Sequence, residues 1–197
     1  TSFRGLWVAV RAMLALTVVL GIAYPLVITG IGQLVLPWQS NGSLVRADGA
    51  TVGSSLIGQS FSDSHGKPLP KYLQPRPSLA GKGYDGGSSG GSNFGPENPK
   101  LIAQIKQRKA EVARFNGVSP ADVPADAVTA SASWLDPHIS PAYALLQVPR
   151  IAAARGLTDA AVRGVVESKI QARDLGYLGE PTVNVLLVNI ALDKLRG

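Results

Sequence analysis

A run of apolar residues near the start of the chain dominates its hydropathy pattern. Residues 12–36 carry no charged side chain, and Gln33 is the most polar residue among them. A helix rises about 1.5 Å per residue, so a run of this length can cross a hydrocarbon core of about 30 Å. Trp7 and Trp38 flank the run, where amphipathic rings favour the two membrane interfaces. The pattern predicts a transmembrane helix over residues 12–36.

Two other interpretations of this run fit less well. A secretory signal peptide has an apolar core of about 7–15 residues followed by a cleavage site of small residues. This run is longer, and the residues after it are Pro37-Trp38-Gln39-Ser40. A core helix of a soluble domain is shorter and less uniformly apolar. We therefore interpret the run as a membrane anchor.

The positive charges around the span predict its orientation. Arg4 and Arg11 precede it, whereas the first stretch after it contains the single Arg46. Because the positive flank stays in the cytoplasm, the main domain is expected outside a bacterial inner membrane. The predicted segments are a cytoplasmic N-terminus over residues 1–11, a single transmembrane helix over 12–36 and one extracytoplasmic domain over 37–197.

Small and imino residues inside the span predict a contact within the membrane. Tyr24-Pro25 lacks a backbone donor at the proline and should kink the helix. Gly21, Gly30 and Gly32 leave flat surfaces that a neighbouring helix can approach. We expect the region of Gly21, Tyr24 and Pro25 to contact a partner helix.

The remainder of the chain alternates between short strand patterns, helix patterns and loops. Residues 60–98 are rich in Gly, Pro, Ser and Asn, and they are either a functional loop or a flexible linker. The mixture predicts one α/β or α+β domain. The predicted elements are a hairpin over 43–59 that turns at Asp48-Gly49, a helix from Asn98-Pro99 to Gly117, a short strand over 127–131, a helix from Ser140-Pro141 to about Arg155 that Pro149 kinks or splits, a helix from Thr158 to about Asp174 closed by Gly176, and a segment over 182–195 that begins as a strand and ends as a helix.

Charge and cysteine content exclude several classes of function. The 197 residues carry a net charge of +6, but only 16% are charged. The densest basic stretch is Lys106, Arg108 and Lys109, which we interpret as a solvated helix face and not as a nucleic-acid surface. The chain has no cysteine, which rules out disulfides and thiolate metal sites.

The stretch from Thr129 to Pro141 holds the densest group of polar residues. Ser131, Ser133, Asp136 and His138 are the residue types of a hydrolase, but residues so close in a turn-rich stretch seldom converge on one atom. Gly-x-Ser-x-Gly spacing occurs only within the glycine-rich run of residues 86–91, where no strand-to-helix frame makes it a nucleophile elbow, and neither of the two histidines has a carboxylate pair at ligand spacing. We predict no catalytic, metal-binding or cofactor-binding residue. The alternative is an anchored extracytoplasmic hydrolase using Ser131 or Ser133 with His138.

Short motifs along the whole chain resemble the C subunit of the bacterial high-affinity Kdp potassium-transporting ATPase, the KdpC family. Each motif is weak alone, but they occur together and in order. They are Leu36-Pro-Trp-Gln39 with Asn41-Gly-Ser-Leu44, Leu56-Ile-Gly-Gln59 with Phe61, Arg76-Pro-Ser78, Ser89-Gly-Gly-Ser-Asn93, Val128-Thr-Ala-Ser131, Leu135-Asp-Pro-His-Ile-Ser140, Gln147 with Arg150, Gly179-Glu-Pro181 and Val183-Asn-Val185. The family pattern has glycine where this chain has Trp134.

The resemblance implies a non-catalytic accessory subunit of an ATP-driven potassium uptake complex. Its partners would be a potassium-channel-like subunit and a P-type ATPase subunit, which would handle potassium and ATP. The chain would support assembly and stability, raise the ATP affinity of the P-type subunit indirectly, or cap the potassium entrance. Loop position and resemblance together predict these partner-contact residues: Gly21, Tyr24, Pro25, Arg76, Ser89, Gly90, Gly91, Ser92, Asn93, Asp136, His138, Gln147 and Arg150.

Overall fold

The computed structural model describes residues 3–195, and these fall into two compact units that divide between Leu44 and Val45. Thr1, Ser2, Arg196 and Gly197 lie outside the described residues, so the ends of the predicted cytoplasmic and extracytoplasmic segments lie there too.

One long helix makes up most of the first unit. It runs through α1 (Phe3–Val18), a π-helical turn (Val19–Ala23) and α2 (Tyr24–Val35), and a short α3 (Pro37–Ser40) follows. None of the residues in α1, the π turn or α2 is buried. Within the described part of the chain, Phe3–Val35 is the helix whose length and composition suit a membrane crossing. The predicted apolar helix is confirmed, while its place in a membrane stays a prediction.

The π turn lies directly before Pro25. The proline cannot donate a backbone hydrogen bond, and its ring crowds the carbonyl of the preceding turn. The amide of Tyr24 donates to the carbonyl of Val19, five residues back, which widens the helix at this point. The structure thus has a π turn directly before Tyr24-Pro25, and the kink predicted at this pair stays a prediction.

The hairpin predicted from the Asp48-Gly49 pair is confirmed. Strands β1 (Leu44–Ala47) and β2 (Ala50–Ser54) form a two-stranded sheet. Asp48 and Gly49 have φ angles of 49° and 80°. A two-residue hairpin loop of this type needs positive φ at both positions, which Asp and Gly tolerate.

The helix caps read from the sequence are also confirmed. Helix α4 (Pro99–Asn116) begins where the Asn98 side chain accepts from the Lys100 amide, and it ends at Gly117. The next predicted helix is split at Gln147 into α5 (Pro141–Leu146) and α6 (Val148–Arg155), with Pro149 in the first turn of α6. The last segment is β5 (Thr182–Asn184) followed by α8 (Val185–Lys194).

Two predicted elements are wrong. Residues 127–131 are not a strand, because a 3₁₀ turn (Ala125–Ala127) comes first, and the amide and hydroxyl of Thr129 both donate back to the Ala125 carbonyl. Another 3₁₀ turn (Pro120–Asp122) precedes it. The helix from Thr158 is α7 (Asp159–Ser168) and stops short of Asp174. Residues beyond it pair as strand β4 (Ile170–Gln171) with β5, an interaction that helical periodicity cannot reveal.

The three-stranded sheet has the order β3-β5-β4, where β3 is His138–Ile139. Both pairings are antiparallel, and Ile139 and Ile170 flank Val183 from the two sides. Helices pack around this central strand, which gives the mixed helix-and-sheet class that the sequence predicts. The fully buried large aliphatic side chains of the core are Leu73, Val148, Ile151, Val162, Val166, Val183, Val188 and Leu192.

The long segment over residues 60–98 is packed against this core, although it contains no helix or strand. Leu73 and Ala80 within it are completely buried, and Gln74 is 8% exposed. The structure therefore favours a loop that belongs to the domain over a flexible linker.

Candidate functional site

Arg76 joins the long loop to the stretch that precedes β3. Its Nη1 donates to Asp136 Oδ2 at 2.9 Å, and its Nε donates to the Thr129 carbonyl at 3.2 Å. Both charged side chains are about a quarter exposed, at 23% and 29%. The ion pair therefore fixes two loops to each other and still reaches the surface.

Ser78 and Tyr84 extend this contact. The Ser78 hydroxyl donates to the Trp134 carbonyl at 2.6 Å and accepts from the Tyr84 amide at 2.9 Å. The Tyr84 phenol donates to the Arg76 carbonyl at 2.8 Å, and burial raises the pKa of this phenol. The phenol therefore stays a donor. We call Arg76, Ser78, Tyr84 and Asp136 the Arg76–Asp136 cluster.

Gly58 is packed directly against the cluster. Its amide donates to the Leu135 carbonyl at 2.7 Å. A Cβ atom at this position would lie 2.4 Å from Tyr84 Cε1 and 2.8 Å from the Asp136 carbonyl oxygen. Only glycine fits without displacing one of these groups. Gly58 was not predicted as a site residue, since a glycine gives no local signal of which groups approach it.

Asp136 is held from a second side by His138. The His138 amide donates to Asp136 Oδ1 at 2.9 Å, and ring Nδ1 lies 3.6 Å from the same oxygen. Burial pushes the pKa of Asp136 up, but the hydrogen bonds from His138 and the Arg76 charge outweigh it and leave this pKa below its usual value. The carboxylate is therefore ionised at neutral pH and acts as the anionic centre of the cluster.

The alternative hydrolase needs a serine hydroxyl in contact with the His138 ring. The hydroxyls of Ser131 and Ser133 instead lie 3.3 Å from each other, and Ser133 Oγ accepts from the Leu135 amide. His138 Nε2 lies 3.5 Å from Asn184 Nδ2. Within residues 3–195, neither serine is hydrogen-bonded to the imidazole, so the nucleophile–base contact of serine hydrolases is not assembled here.

The glycine-rich run lies against the same stretch. The Gly90 amide and the Ser89 hydroxyl both donate to the Ser133 carbonyl, at 3.3 Å and 3.1 Å. A Cβ on Gly91 would lie 3.1 Å from the Ala132 carbonyl. Ser92 and Asn93 continue the run as exposed residues. The structure thus brings three separately predicted loops, 76–78, 89–93 and 136–140, together around residues 129–138.

An open groove of about 570 Å³ borders this meeting point. Leu56 and Ile57 form its apolar wall and are 61% and 44% exposed. Arg76, Asp136 and the two serines line the polar side. Exposed aliphatic side chains beside a fixed ion pair resemble the centre and rim of a protein interface.

Gln147 and Arg150, which were predicted as partner contacts, lie elsewhere and face inward. Gln147 is fully buried, and its side-chain oxygen accepts from the Gln74 amide at 2.8 Å while its nitrogen donates to the Gln74 carbonyl at 3.1 Å. Asn189 makes the same pair of bonds with the amide and carbonyl of Leu73, at 2.8 Å and 3.0 Å. We call Gln147 and Asn189 the amide clamp, since they bind the backbone of residues 73–74 as a neighbouring strand would.

Arg150 supports this clamp. Its Nη2 donates to Gln147 Oε1 at 2.7 Å, its Nη1 donates to the carbonyls of Pro70 and Tyr72, and its guanidinium lies 4.4 Å from the Phe115 ring centroid. Burial lowers the pKa of Arg150 to about 10, so the group remains charged at neutral pH. Gln147 and Arg150 therefore hold the loop in place, and we leave them out of the proposed interface.

The remaining predicted contacts lie in the first unit. Gly21 is part of the π turn, and Tyr24 and Pro25 follow it directly. A Cβ on Gly21 would have Thr17 Cγ2 as its nearest neighbour, at 3.8 Å. This side of the helix is open. Over the described range 3–195, there is no group of three or more His, Cys, Asp or Glu that could hold a metal ion.

Comparison with known protein families decides the classification. The family model described as the c chain of the K⁺-transporting ATPase matches residues 6–194. This chain belongs to the KdpC family. A relative named potassium-transporting ATPase KdpC subunit from Beijerinckia indica is 49% identical over 182 residues, which cover 92% of this chain and 89% of the relative. A relative of the same name from Mycobacterium tuberculosis strain H37Rv is 48% identical over 194 residues, or 98% of this chain and 99% of the relative.

Trp134 has a backbone conformation that usually requires glycine. It has a φ of 60°, a left-handed conformation that glycine adopts freely and that is strained for a bulky side chain. Its indole Nε1 is buried without a hydrogen-bond partner among the described residues. The ring covers Gly90, where a Cβ would lie 3.0 Å from Trp134 Cζ3. The tryptophan therefore keeps the backbone of a glycine turn and adds a ring that packs on the glycine-rich run.

Proposed function

We propose that this chain is the non-catalytic accessory C subunit of an ATP-driven, high-affinity potassium uptake complex. The observation that carries the proposal is the family match over residues 6–194, together with nearly full-length relatives named potassium-transporting ATPase KdpC subunit. Coverage of about nine tenths or more of both chains argues that the whole architecture serves the same purpose. The complex would handle potassium and ATP in its other subunits.

The proposed topology places residues 12–36 across the bacterial inner membrane, residues 1–11 in the cytoplasm and residues 37–197 outside. The apolar side chains of Phe3–Val35 are unburied, and a bilayer would remove them from water. Arg4 and Arg11 before the span favour the cytoplasmic N-terminus.

The absence of cysteine allows a direct test of this topology. Phe3→Cys and Ser92→Cys each introduce one thiol, at the two ends of the proposed arrangement. A membrane-impermeant maleimide should label Ser92→Cys in intact cells and Phe3→Cys only after the membrane is opened. The reverse pattern would overturn the orientation.

The proposed partners are a potassium-channel-like subunit and a P-type ATPase subunit. In the membrane, the open surface at Gly21, Tyr24 and Pro25 would receive a partner helix, because small residues permit close approach. In the second unit, the Arg76–Asp136 cluster, the 89–93 run and the groove beside Leu56 and Ile57 would form the contact. Such contacts would stabilise the assembly and cap the potassium entrance. A domain outside the membrane would affect ATP affinity in the cytoplasm only indirectly.

Co-purification tests the proposal. The tagged chain should be isolated in mild detergent together with a channel-like subunit and a P-type ATPase, and the preparation should show potassium-stimulated ATP hydrolysis. Recovery of the chain alone, with no ATPase activity in the membrane extract that depends on it, would overturn the proposed function.

Paired variants test the two proposed contacts. Leu56→Gln with Ile57→Gln should reduce recovery of the complex, whereas Leu175→Gln, at a position that is 80% exposed and lies outside the groove, should not. Gly21→Leu should weaken assembly more than Ala15→Leu, which also enlarges a side chain in the same helix. Equal recovery within either pair would remove that surface from the proposal.

A further inference from the structure

A polar pocket of about 440 Å³ lies beside the Arg76–Asp136 cluster, and Arg76 is the one residue that its lining shares with the Leu56 groove. Arg76, Lys82 and Arg108 bring three positive charges to its lining, and Glu111 brings one negative charge. The other polar groups of the wall include the hydroxyls of Ser60, Ser62 and Ser78. The pocket is therefore positively charged and rich in hydrogen-bond donors.

Tyr143 contributes a hydroxyl to this pocket that the fold does not use. The residue is only 3% exposed, and its amide is held by the Ser140 hydroxyl at the start of α5. Its phenol oxygen has no hydrogen-bond partner in the described part of the chain. Burial raises the pKa of Tyr143 to about 12, so this phenol is a donor at neutral pH. A phenol donor in the lining of a pocket that no described residue accepts from is available to a ligand that accepts.

Arg108 is the second incompletely used donor. Its Nη1 donates to the Val128 carbonyl at 3.1 Å, and that is its one hydrogen bond to a described residue. Burial lowers its pKa, which the charge of Glu111 partly offsets, and no carboxylate of residues 3–195 forms an ion pair with its guanidinium. Because a guanidinium has five N–H donors in a planar fork, most of its capacity faces no protein acceptor.

The side chains that line the pocket favour a negatively charged ligand over a positively charged one. Its single acidic side chain is Glu111, which accepts from Gln107 at 2.8 Å, and one carboxylate is too few ligands for a cation site. Arg76 is paired with Asp136, which largely compensates its charge, and its three nitrogens already donate to Thr129, Asp136 and Ala130. Arg108 and Tyr143 remain as the donors, and exposed Lys82 stands beside them in the lining. An oxygen-bearing anion would satisfy both donors, since arginine binds carboxylate and phosphate oxygens with good geometry.

We propose that this pocket binds a small oxyanion carrying carboxylate or phosphate groups, with Arg108 and Tyr143 as the direct donors. The site is separate from the potassium and ATP chemistry of the proposed complex and does not depend on it. Binding would also join the long loop, α4 and α5, because residues from all three line the pocket.

The test uses the purified full chain in non-ionic detergent at constant ionic strength. Inorganic phosphate and malonate are the two probes, and chloride is the reference. At least one probe should raise the melting temperature in a saturable manner, because a ligand that binds only the folded state stabilises it. Calorimetric titration then shows whether the phosphate or the carboxylate is preferred. No shift beyond that of chloride with either probe would overturn the proposal.

Three variants locate the binding. Tyr143→Phe should leave the melting temperature of the ligand-free protein unchanged, since its hydroxyl has no partner in the fold, and should weaken binding by about tenfold. Arg108→Gln should weaken binding at least as much. Lys106→Gln removes the same charge from an exposed position of α4 outside the pocket and should leave binding intact.

The variants also discriminate between a site and general surface charge. Equal loss of affinity in Lys106→Gln and Arg108→Gln would mean attraction by the surface as a whole and would overturn the proposal. Undiminished binding by a folded Tyr143→Phe variant would do the same. Glu111→Gln removes the one negative charge of the pocket and should strengthen binding.

Discussion

The long loop over residues 60–98 is held at two neighbouring places by different chemistry. At residues 73–74, the amide clamp of Gln147 and Asn189 binds backbone groups in a fully buried environment. At residues 76–84, the Arg76–Asp136 cluster uses an ion pair and hydroxyls that remain partly exposed. Both places fix a segment that has no regular secondary structure.

The difference between the two places separates stability from recognition. Neutral amides can be buried completely because each of their polar atoms meets a backbone partner. Charged groups are costly to bury, so the ion pair stays near the surface, where a partner can reach it. We infer that the amide clamp serves mainly the stability of the domain, whereas the cluster serves both stability and contact.

The largest effect should come from the amide clamp. Gln147→Ala would leave the buried amide and carbonyl of Gln74 without partners and would remove an acceptor from Arg150. At about 1–3 kcal/mol for each unsatisfied group, we expect a loss of about 3 kcal/mol or more. Thermal unfolding should show a melting temperature lower by roughly 6–12 °C.

The matched control for this variant is Gln107→Ala, an exposed glutamine on α4 whose partner is Glu111. It should change the melting temperature by less than about 2 °C, since exposed substitutions rarely exceed about 0.5 kcal/mol. Similar losses in both variants would contradict the stabilising role assigned to the clamp.

The next effect concerns the close packing at the cluster. Gly58→Ala would place a Cβ 2.4 Å from Tyr84 Cε1 and 2.8 Å from a backbone carbonyl, so the neighbours must move. Overpacking of this kind costs about 1–3 kcal/mol. Denaturant unfolding should report that loss, while Gly86→Ala, where a Cβ meets nothing within 4 Å, should stay close to wild type. If Gly58→Ala left the free energy of unfolding unchanged, the cluster would be packed more loosely than the clamp.

A smaller effect, which depends on pH, should distinguish the charged Arg76–Asp136 cluster from the neutral amide clamp. The folded-state pKa of Asp136 lies below the usual value of 3.8, so its stabilisation is present above about pH 4 and is lost as the pH falls through the folded-state value. Asp136→Asn should cost about 1–2 kcal/mol near neutral pH, and the difference from wild type should vanish in strong acid.

Melting temperatures measured from pH 7 down to pH 2 check this prediction. Asp122→Asn, at an exposed position in a 3₁₀ turn, should show no such convergence with wild type. Gln147→Ala contains no titrating change, so its deficit should persist at every pH. A constant deficit for Asp136→Asn would contradict the assignment of an ionised centre.

The smallest expected effect is a difference in stability between the alanine and glycine variants of Trp134. Trp134→Ala loses the ring that covers Gly90 and keeps a strained φ of 60°. Trp134→Gly loses the same ring but adopts this conformation freely. The glycine variant should therefore be more stable than the alanine variant by about 1 kcal/mol, against the usual order of these residues. Chemical denaturation of the two variants side by side measures it, and an alanine variant equal or superior in stability would contradict the strain.

Local signals in the sequence were enough for several elements of the fold. Asn98-Pro99, Ser140-Pro141 and Pro149 mark helix starts and a split that the structure confirms. These signals succeed because caps and turns depend on side chains within a few residues. The strand predicted over 127–131 failed because its backbone carbonyls at Thr129 and Ala130 bind Arg76, more than fifty residues away along the chain.

The site was predicted only in pieces. The three loops at Arg76, Ser89 and Asp136 were each singled out, but no sequence pattern shows that they meet. Gln147 was singled out with them and lies buried in the amide clamp instead. Gly58 and Asn189 were missed, because their importance depends on which groups approach them in the folded chain.

The sequence by itself determined the long apolar helix, the hairpin turn and most helix boundaries. These features depend on composition, on periodicity and on contacts between near neighbours. Only the tertiary structure decided that residues 60–98 are a packed part of the domain and that the predicted loops lie together. It also decided that Tyr143 and Arg108, whose donors are not fully used by the fold, line the same pocket. Such arrangements depend on contacts between residues that are distant along the chain, so local sequence patterns do not predict them.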